Sequence, residues 1–207
     1  MPLYKSITVN HHTKVLIWRI EESEEKLNED INLTLHCKER IASMKSELHR
    51  RGFLSVRQLL KVAGYEASDL NYDTEGRPHL SDKKKISITH SFQFSAIIIS
   101  DEIVGIDIEK QRSKIKNIAS KFTEDEFAFI SEDDEIEMLT YIWCIKESLY
   151  KAYATAGISF KEHIRITPFS LNDVSGKACV DHKGKKENYQ VYFLTFDGFS
   201  CAYALKI

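Results

Sequence analysis

The chain has 207 residues, 43% of them hydrophobic and 29% charged, with eleven Phe, nine Tyr and two Trp. This composition excludes a disordered or collagen-like chain and suits one large domain or two half-sized units. The formal net charge of −2 says little about partners, and no window approaches the ~18 uninterrupted apolar residues of a membrane helix.

In chain order, KVLIWRI (Lys14–Ile20) reads as a strand. Helical spacing runs through NEDINLTLHCKERIASM, at Ile31, Leu35, Ile41 and Met44. ELHRRGFLSVRQLLKVAGY is a stronger helix, with Phe53, Val56, Leu59 and Leu60 on one stripe and Gly64 as its stop. Its opposite side carries Arg50, Arg51, Arg57 and Lys61. Tyr72–Asp82 is turn chemistry around Gly-Arg-Pro. ISITHSFQFSAIIIS and EIVGIDIE are β, and IKNIASKFTEDEFAFI and EIEMLTYIWCIKESLYKAYA are expected as two helices on either side of SEDDE. HIRITPF, GKACVDHK, NYQVYFLTFDG and FSCAYALKI return to β. Ile86–Ile99 and Val191–Leu205 echo each other, which suits two related α+β halves.

Charge is unevenly placed. Lys38–Lys61 holds seven Lys and Arg against two Glu, and Glu124–Glu137 holds eight acidic residues and no basic one. Each segment suits either a charged ligand or a solvated helix face. The cysteines Cys37, Cys144, Cys179 and Cys201 form neither a CxxC pair nor a zinc spacing and are expected as packing residues. The opening MPLYKSITVN lacks an apolar signal-peptide core, so a cytoplasmic protein is expected. Gly-rich nucleotide loops, GxSxG and HExxH are absent, as are basic runs interleaved with aromatics, so no nucleic-acid partner and no membrane partner are expected.

Three constellations carry chemistry. In VGIDIEK, Asp107 and Glu109 project from one face of a strand, which suits a solvated surface or a hard cation. In WCIKESLYKA, Trp143, Glu147 and Lys151 fall on one helical stripe, which suits an exposed ion pair or a third carboxylate with an adjacent cation. Arg77, in a Gly-Arg-Pro turn, and His90, in ITHS, suit surface roles or phosphate contacts.

The order GRP, ITHS, VGIDIE, FTEDE, WCIKESLYKA closely resembles the 4′-phosphopantetheinyl transferase superfamily, in its larger, surfactin-type form. The resemblance is anchored from about Lys38 to Gly157. It implies two similar α+β halves about a pseudo-twofold axis with the active site in the cleft between them. Residues 1–100 would contribute to coenzyme A binding, and 101–207 would carry the metal-binding and catalytic carboxylates. The implied reaction moves the phosphopantetheine arm of coenzyme A to a serine of an apo acyl or peptidyl carrier protein, releasing adenosine 3′,5′-bisphosphate. Mg²⁺, or Mn²⁺ in its place, is the implied metal, and a monomer is the implied state. A non-catalytic coenzyme A- or carrier-binding protein of the same fold is the alternative.

By matched position, the resemblance implies Asp107, Glu109 and Glu147 as metal ligands, with Glu126 acting through water and Glu124 as the alternative for that role. It implies Lys151 at the transferring phosphate and Glu147 as the carboxylate that accepts the serine proton. It places Thr89 and His90 at coenzyme A, with Gly76, Arg77 and Pro78 lining its adenine and phosphate. It makes Arg51 and Arg40 contacts of the 3′-phosphate.

Overall fold

Two antiparallel sheets, each covered by one long helix, account for most of the chain, and the computed structural model describes residues 3–207. The chain divides into two compact units, Met1–Asp101 and Glu102–Ile207. The first unit opens with strands β1 (Leu3–Asn10) and β2 (Thr13–Arg19) and helices α1 (Glu24–Asn28), α2 (Leu35–Ser43) and α3 (Glu47–Val62). The small hairpin β3 (Leu70–Tyr72) and β4 (Pro78–Leu80) follows, then β5 (Lys85–Ser91) and β6 (Phe94–Ser100). The main sheet runs β1-β2-β6-β5. Helix α3 buries Phe53, Val56, Leu59 and Leu60, as their spacing predicts, and the last three share a core with Leu16, Trp18 and Ile97. Burying each such aliphatic side chain stabilises the unit by roughly 1.5–3 kcal/mol. The helix stops at Gly64, whose φ of +88° only glycine adopts freely.

The second unit contains β7 (Val104–Lys110), two 3₁₀ segments (Ser113–Lys121 and Asp125–Phe129), α4 (Glu135–Tyr153) and α5 (Phe160–His163). Strands β8 (Ile164–Ile166), β9 (Ser175–His182), β10 (Lys185–Phe196) and β11 (Phe199–Lys206) complete it. Its sheet runs β7-β11-β10-β9-β8, antiparallel throughout, with β7 at one edge. The two echoing segments are the hairpins β5–β6 and β10–β11, each closed by a two-residue loop whose first residue, Phe92 or Asp197, has φ of 49°. In both sheets the last strand lies between the strand that leads into the helical segment and the strand that precedes it in sequence: β6 between β2 and β5, and β11 between β7 and β10. The fold is α+β.

Several expectations change. Strand β1 occupies the polar opening, which the alternation rule misses because the strand is an edge strand with both faces largely exposed. The proposed helix from Asn28 is broken: Asp30 turns at φ 58°, and the Thr34 side chain accepts from the Cys37 amide to start α2 afresh. Residues 113–129 wind as 3₁₀ turns, with the Phe122 amide bonded to the Ala119 carbonyl three residues back. Arg57 does not join a solvated face. It is 3% exposed, stacked 3.4 Å from the Phe53 ring centroid, and donates to the Phe53 carbonyl.

Candidate active site

Close approach of a helix to a strand builds the site. Gly105 of β7 lies under Ser148 and Ala152 of α4: a Cβ at Gly105 would stand 1.8 Å from the Ser148 carbonyl oxygen and 3.1 Å from the Ala152 nitrogen. The neighbouring strand supplies Ala204 opposite Gly105 and Ala202 opposite Asp107, so a row of small residues lets α4 ride low on the sheet. Strand alternation puts Asp107 and Glu109 on the face that Gly105 presents to α4. Glu147 and Lys151 each precede one of the two helix residues that touch Gly105, so they flank that contact.

The charges of strand and helix meet beside this contact. Lys151 Nζ lies 2.7 Å from Asp107 Oδ1 and donates to the Ile106 carbonyl at 2.9 Å. Asp107 is only 5% exposed. Glu147 is half-buried, and its carboxyl is pushed up to about 7 by burial first, then by the negative charge of Asp107, with Glu109 adding to the rise and Lys151 opposing it. Trp143, the third member of the stripe, packs edge-on against Phe122 at 5.1 Å and beside Phe160 at 5.6 Å. Beneath the site the Cys144 thiol is fully buried and donates to the Ser200 carbonyl at 3.4 Å. Burial pushes its pKa well up, in keeping with a packing role.

Among the described residues, no group of three or more His, Cys, Asp and Glu side chains is arranged to hold a metal ion. The chemistry of the donors nevertheless fits a hard divalent cation. Asp107, Glu109 and Glu147 are oxygen donors, and the repulsion by which Asp107 and Glu109 raise Glu147 is what a cation relieves.

Glu126 has a buried partner of its own. Its carboxylate is 2% exposed and paired at 2.6 Å with Lys146, whose side chain is completely buried. The charges acting on Glu147 come from Asp107, Lys151 and Glu109, without Glu126 among them. Glu124, the alternative at that position, is exposed, with Lys161 at 3.9 Å. Sequence reasoning passed over Lys146, although a lysine flanked by Cys144, Ile145, Ser148 and Leu149 sits on the apolar side of its helix.

In the first unit, the guanidinium of Arg40 on α2 lies 5.2 Å from the Tyr72 ring centroid, which brings it beside the β3–β4 hairpin. The loop of that hairpin carries Gly76 and Arg77, and Pro78 opens β4. The Asp73 side chain accepts from the Glu75 and Arg77 amides at 2.9 Å, and Gly76 takes φ of +79°. Arg77 forms an ion pair with Glu75. Arg51 of α3 donates to the Ile20 carbonyl at 3.2 Å. Thr89 is buried and His90 exposed on β5. The His90 ring lies against Gly52 of α3, where a Cβ would stand 2.4 Å from His90 Cδ2, and 6.3 Å from the His49 ring.

A strand-borne carboxylate pair is thus faced by a glutamate and a lysine one helical turn apart. The family model described as the 4′-phosphopantetheinyl transferase superfamily matches residues 103–204, nearly all of the second unit. Residues 103–204 are thus similar to that superfamily. A 4′-phosphopantetheinyl transferase, gsp, of Aneurinibacillus migulanus is 27% identical over 132 residues, covering 61% of this chain and 54% of the relative. The matched stretch thus spans about half the length of that relative. No helix among the described residues is long and apolar enough to cross a membrane.

Proposed function

We propose that this chain transfers the 4′-phosphopantetheine arm of coenzyme A to a serine of an apo acyl or peptidyl carrier protein, as a cytoplasmic, monomeric enzyme of the larger, surfactin-type branch. The observation that carries this reading is the meeting of Asp107, Glu109, Glu147 and Lys151 on β7 and α4, in a chain whose residues 103–204 are similar to this superfamily. Asp107, Glu109 and Glu147 would hold Mg²⁺ or Mn²⁺. When bound, that cation offsets the negative charge that develops on the pyrophosphate oxygens.

The chain's own residues do the rest. The serine Oγ forms a bond to the β-phosphorus of coenzyme A, and the bond from that phosphorus to the bridging oxygen breaks. Adenosine 3′,5′-bisphosphate leaves, and the serine proton passes to the Glu147 carboxylate, directly or through a water molecule. Lys151 moves its charge from Asp107 to the transferring phosphoryl group, a role suited to a flexible point charge. In the first unit, Thr89 and His90 contact coenzyme A, and Gly76, Arg77 and Pro78 line its adenine and phosphate. Arg51 and Arg40 have side chains suited to the 3′-phosphate.

The test is to incubate the protein with coenzyme A, Mg²⁺ and a panel of apo carrier proteins and to measure intact carrier mass. A gain of one phosphopantetheine is expected on at least one carrier, and no gain on any carrier rejects the reading. Asp107→Ala and Glu147→Ala are each expected to lower the rate by on the order of 10²-fold or more with an unchanged circular dichroism spectrum. Full activity in both variants would reject the metal assignment.

A further inference from the structure

Lys146 and Glu126 form a fully desolvated ion pair. The Lys146 ammonium stands 2.6 Å from Glu126 Oε1 as an ion pair and donates to the Phe160 carbonyl at 3.0 Å and the Ile164 carbonyl at 3.1 Å. The other carboxylate oxygen of Glu126 accepts from the Glu124 amide at 3.0 Å. One side chain of α4 therefore ties together the second 3₁₀ segment, the start of α5 and the first residue of β8. Phe160, whose carbonyl is held, packs at 5.6 Å against both Trp143 and Tyr150. These two residues lie one helical turn before and after Glu147, and Lys146 is its immediate neighbour in sequence.

A buried ion pair contributes little to stability beyond what well-packed apolar side chains of similar volume supply, because desolvating both charges offsets their attraction. Its distinctive property is direction: an ammonium held by two carbonyls and one carboxylate allows far fewer arrangements than hydrocarbon does. We propose that Lys146 and Glu126 are positioning residues for phosphopantetheinyl transfer, a strut that fixes the wall of α4 and α5 around Glu147. Glu126 acts on Lys146 rather than on the cation or the reacting atoms. The role in transfer rests on the function proposed above; the strut itself does not.

The test compares Lys146→Met, Glu126→Leu and the double variant with the parent protein. Each single variant strands a buried charge and is expected to melt at a lower temperature than the double variant, which regains most of the lost stability. The double variant is still expected to show kcat lowered by about 10- to 100-fold, the scale of a misplacement near 1 Å, with the KM for coenzyme A within about 2-fold of the parent, because binding groups are untouched. Amide hydrogen exchange in residues 159–166 is expected to quicken by about 10-fold or more in the double variant, as lost restraint on this corner predicts. A double variant with parental kcat, or with parental exchange across 159–166, overturns the proposal. So does Glu126→Gln if it weakens Mn²⁺ binding by calorimetry while leaving exchange unchanged, since Glu126 then works at the metal. Melting and exchange need no carrier, so a parent protein inactive on every carrier would reject the function while the strut is still judged by those two measurements.

Discussion

Gly105→Ala is the smallest change that separates the two halves of the charge cluster. The new methyl carbon would stand 1.8 Å from the Ser148 carbonyl oxygen and 2.8 Å from the Ser148 carbonyl carbon, both of them backbone. Ordinary contact needs about 3.5 Å, so the helix must retreat by roughly 1.7 Å or the strand must bend away. The oxygen and the Ala152 nitrogen, 3.1 Å from the same methyl, lie four residues apart, so the intruding group wedges into one helical hydrogen bond. Overpacking of this kind costs about 1–3 kcal/mol and at times more. The 2.7 Å contact between Lys151 and Asp107 does not survive such a shift, and a displacement beyond 1 Å at catalytic groups costs about 10²-fold in rate. The assay is thermal denaturation beside carrier-mass kinetics. Gly176→Ala is the control: its methyl would meet the Phe193 ring edge at 3.1 Å, a side chain that can yield, so a smaller loss of stability and near-parental kcat are expected. If Gly105→Ala melted and turned over like the parent, close packing of α4 on β7 would not be what holds Glu147 and Lys151 in place.

Two further predictions concern the second unit. Burial pushes the Glu187 carboxyl up, but Lys185, Lys206 and the Tyr189 hydroxyl together outweigh it and hold the pKa down at about 2, below its ordinary value of 4.5. A depressed folded-state value contributes stability above the unfolded value and loses it as pH falls. Glu187→Gln is therefore expected to destabilise by on the order of 1 kcal/mol at neutral pH, reduced from the bare shift by solvent screening of the lysines. That difference should fade between about pH 5 and pH 2 in denaturant melts; a difference independent of pH would refute the assignment. Ala154 ends α4 in the left-handed region at φ 51°. Ala154→Gly is expected to raise stability by about 1 kcal/mol, and a lower melting temperature would show that the alanine methyl has a packing role there.

Much of the site was legible in local order. The alternation in VGIDIEK and the four-residue spacing of Trp143, Glu147 and Lys151 depend only on strand and helix geometry, and the structure joins them through Lys151 and Asp107. The stripe of α3 and its Gly64 stop were legible for the same reason. The 3₁₀ winding of residues 113–129 was not, because apolar residues three and four apart fit either helix and the carbonyl each amide selects depends on packing.

By itself, the sequence determined the elements that carry Asp107, Glu109, Glu147 and Lys151, and the face each presents, since side-chain direction follows from backbone period. Only the tertiary structure decided that Gly105 lies beneath Ser148, that Glu126 turns inward to Lys146, and that Arg57 stacks on Phe53 inside the first unit. The physical reason is range. Period is a property of a few neighbouring residues, whereas a desolvated charge takes whichever partner the fold brings within about 3 Å, and for Glu126 that partner is twenty residues along the chain.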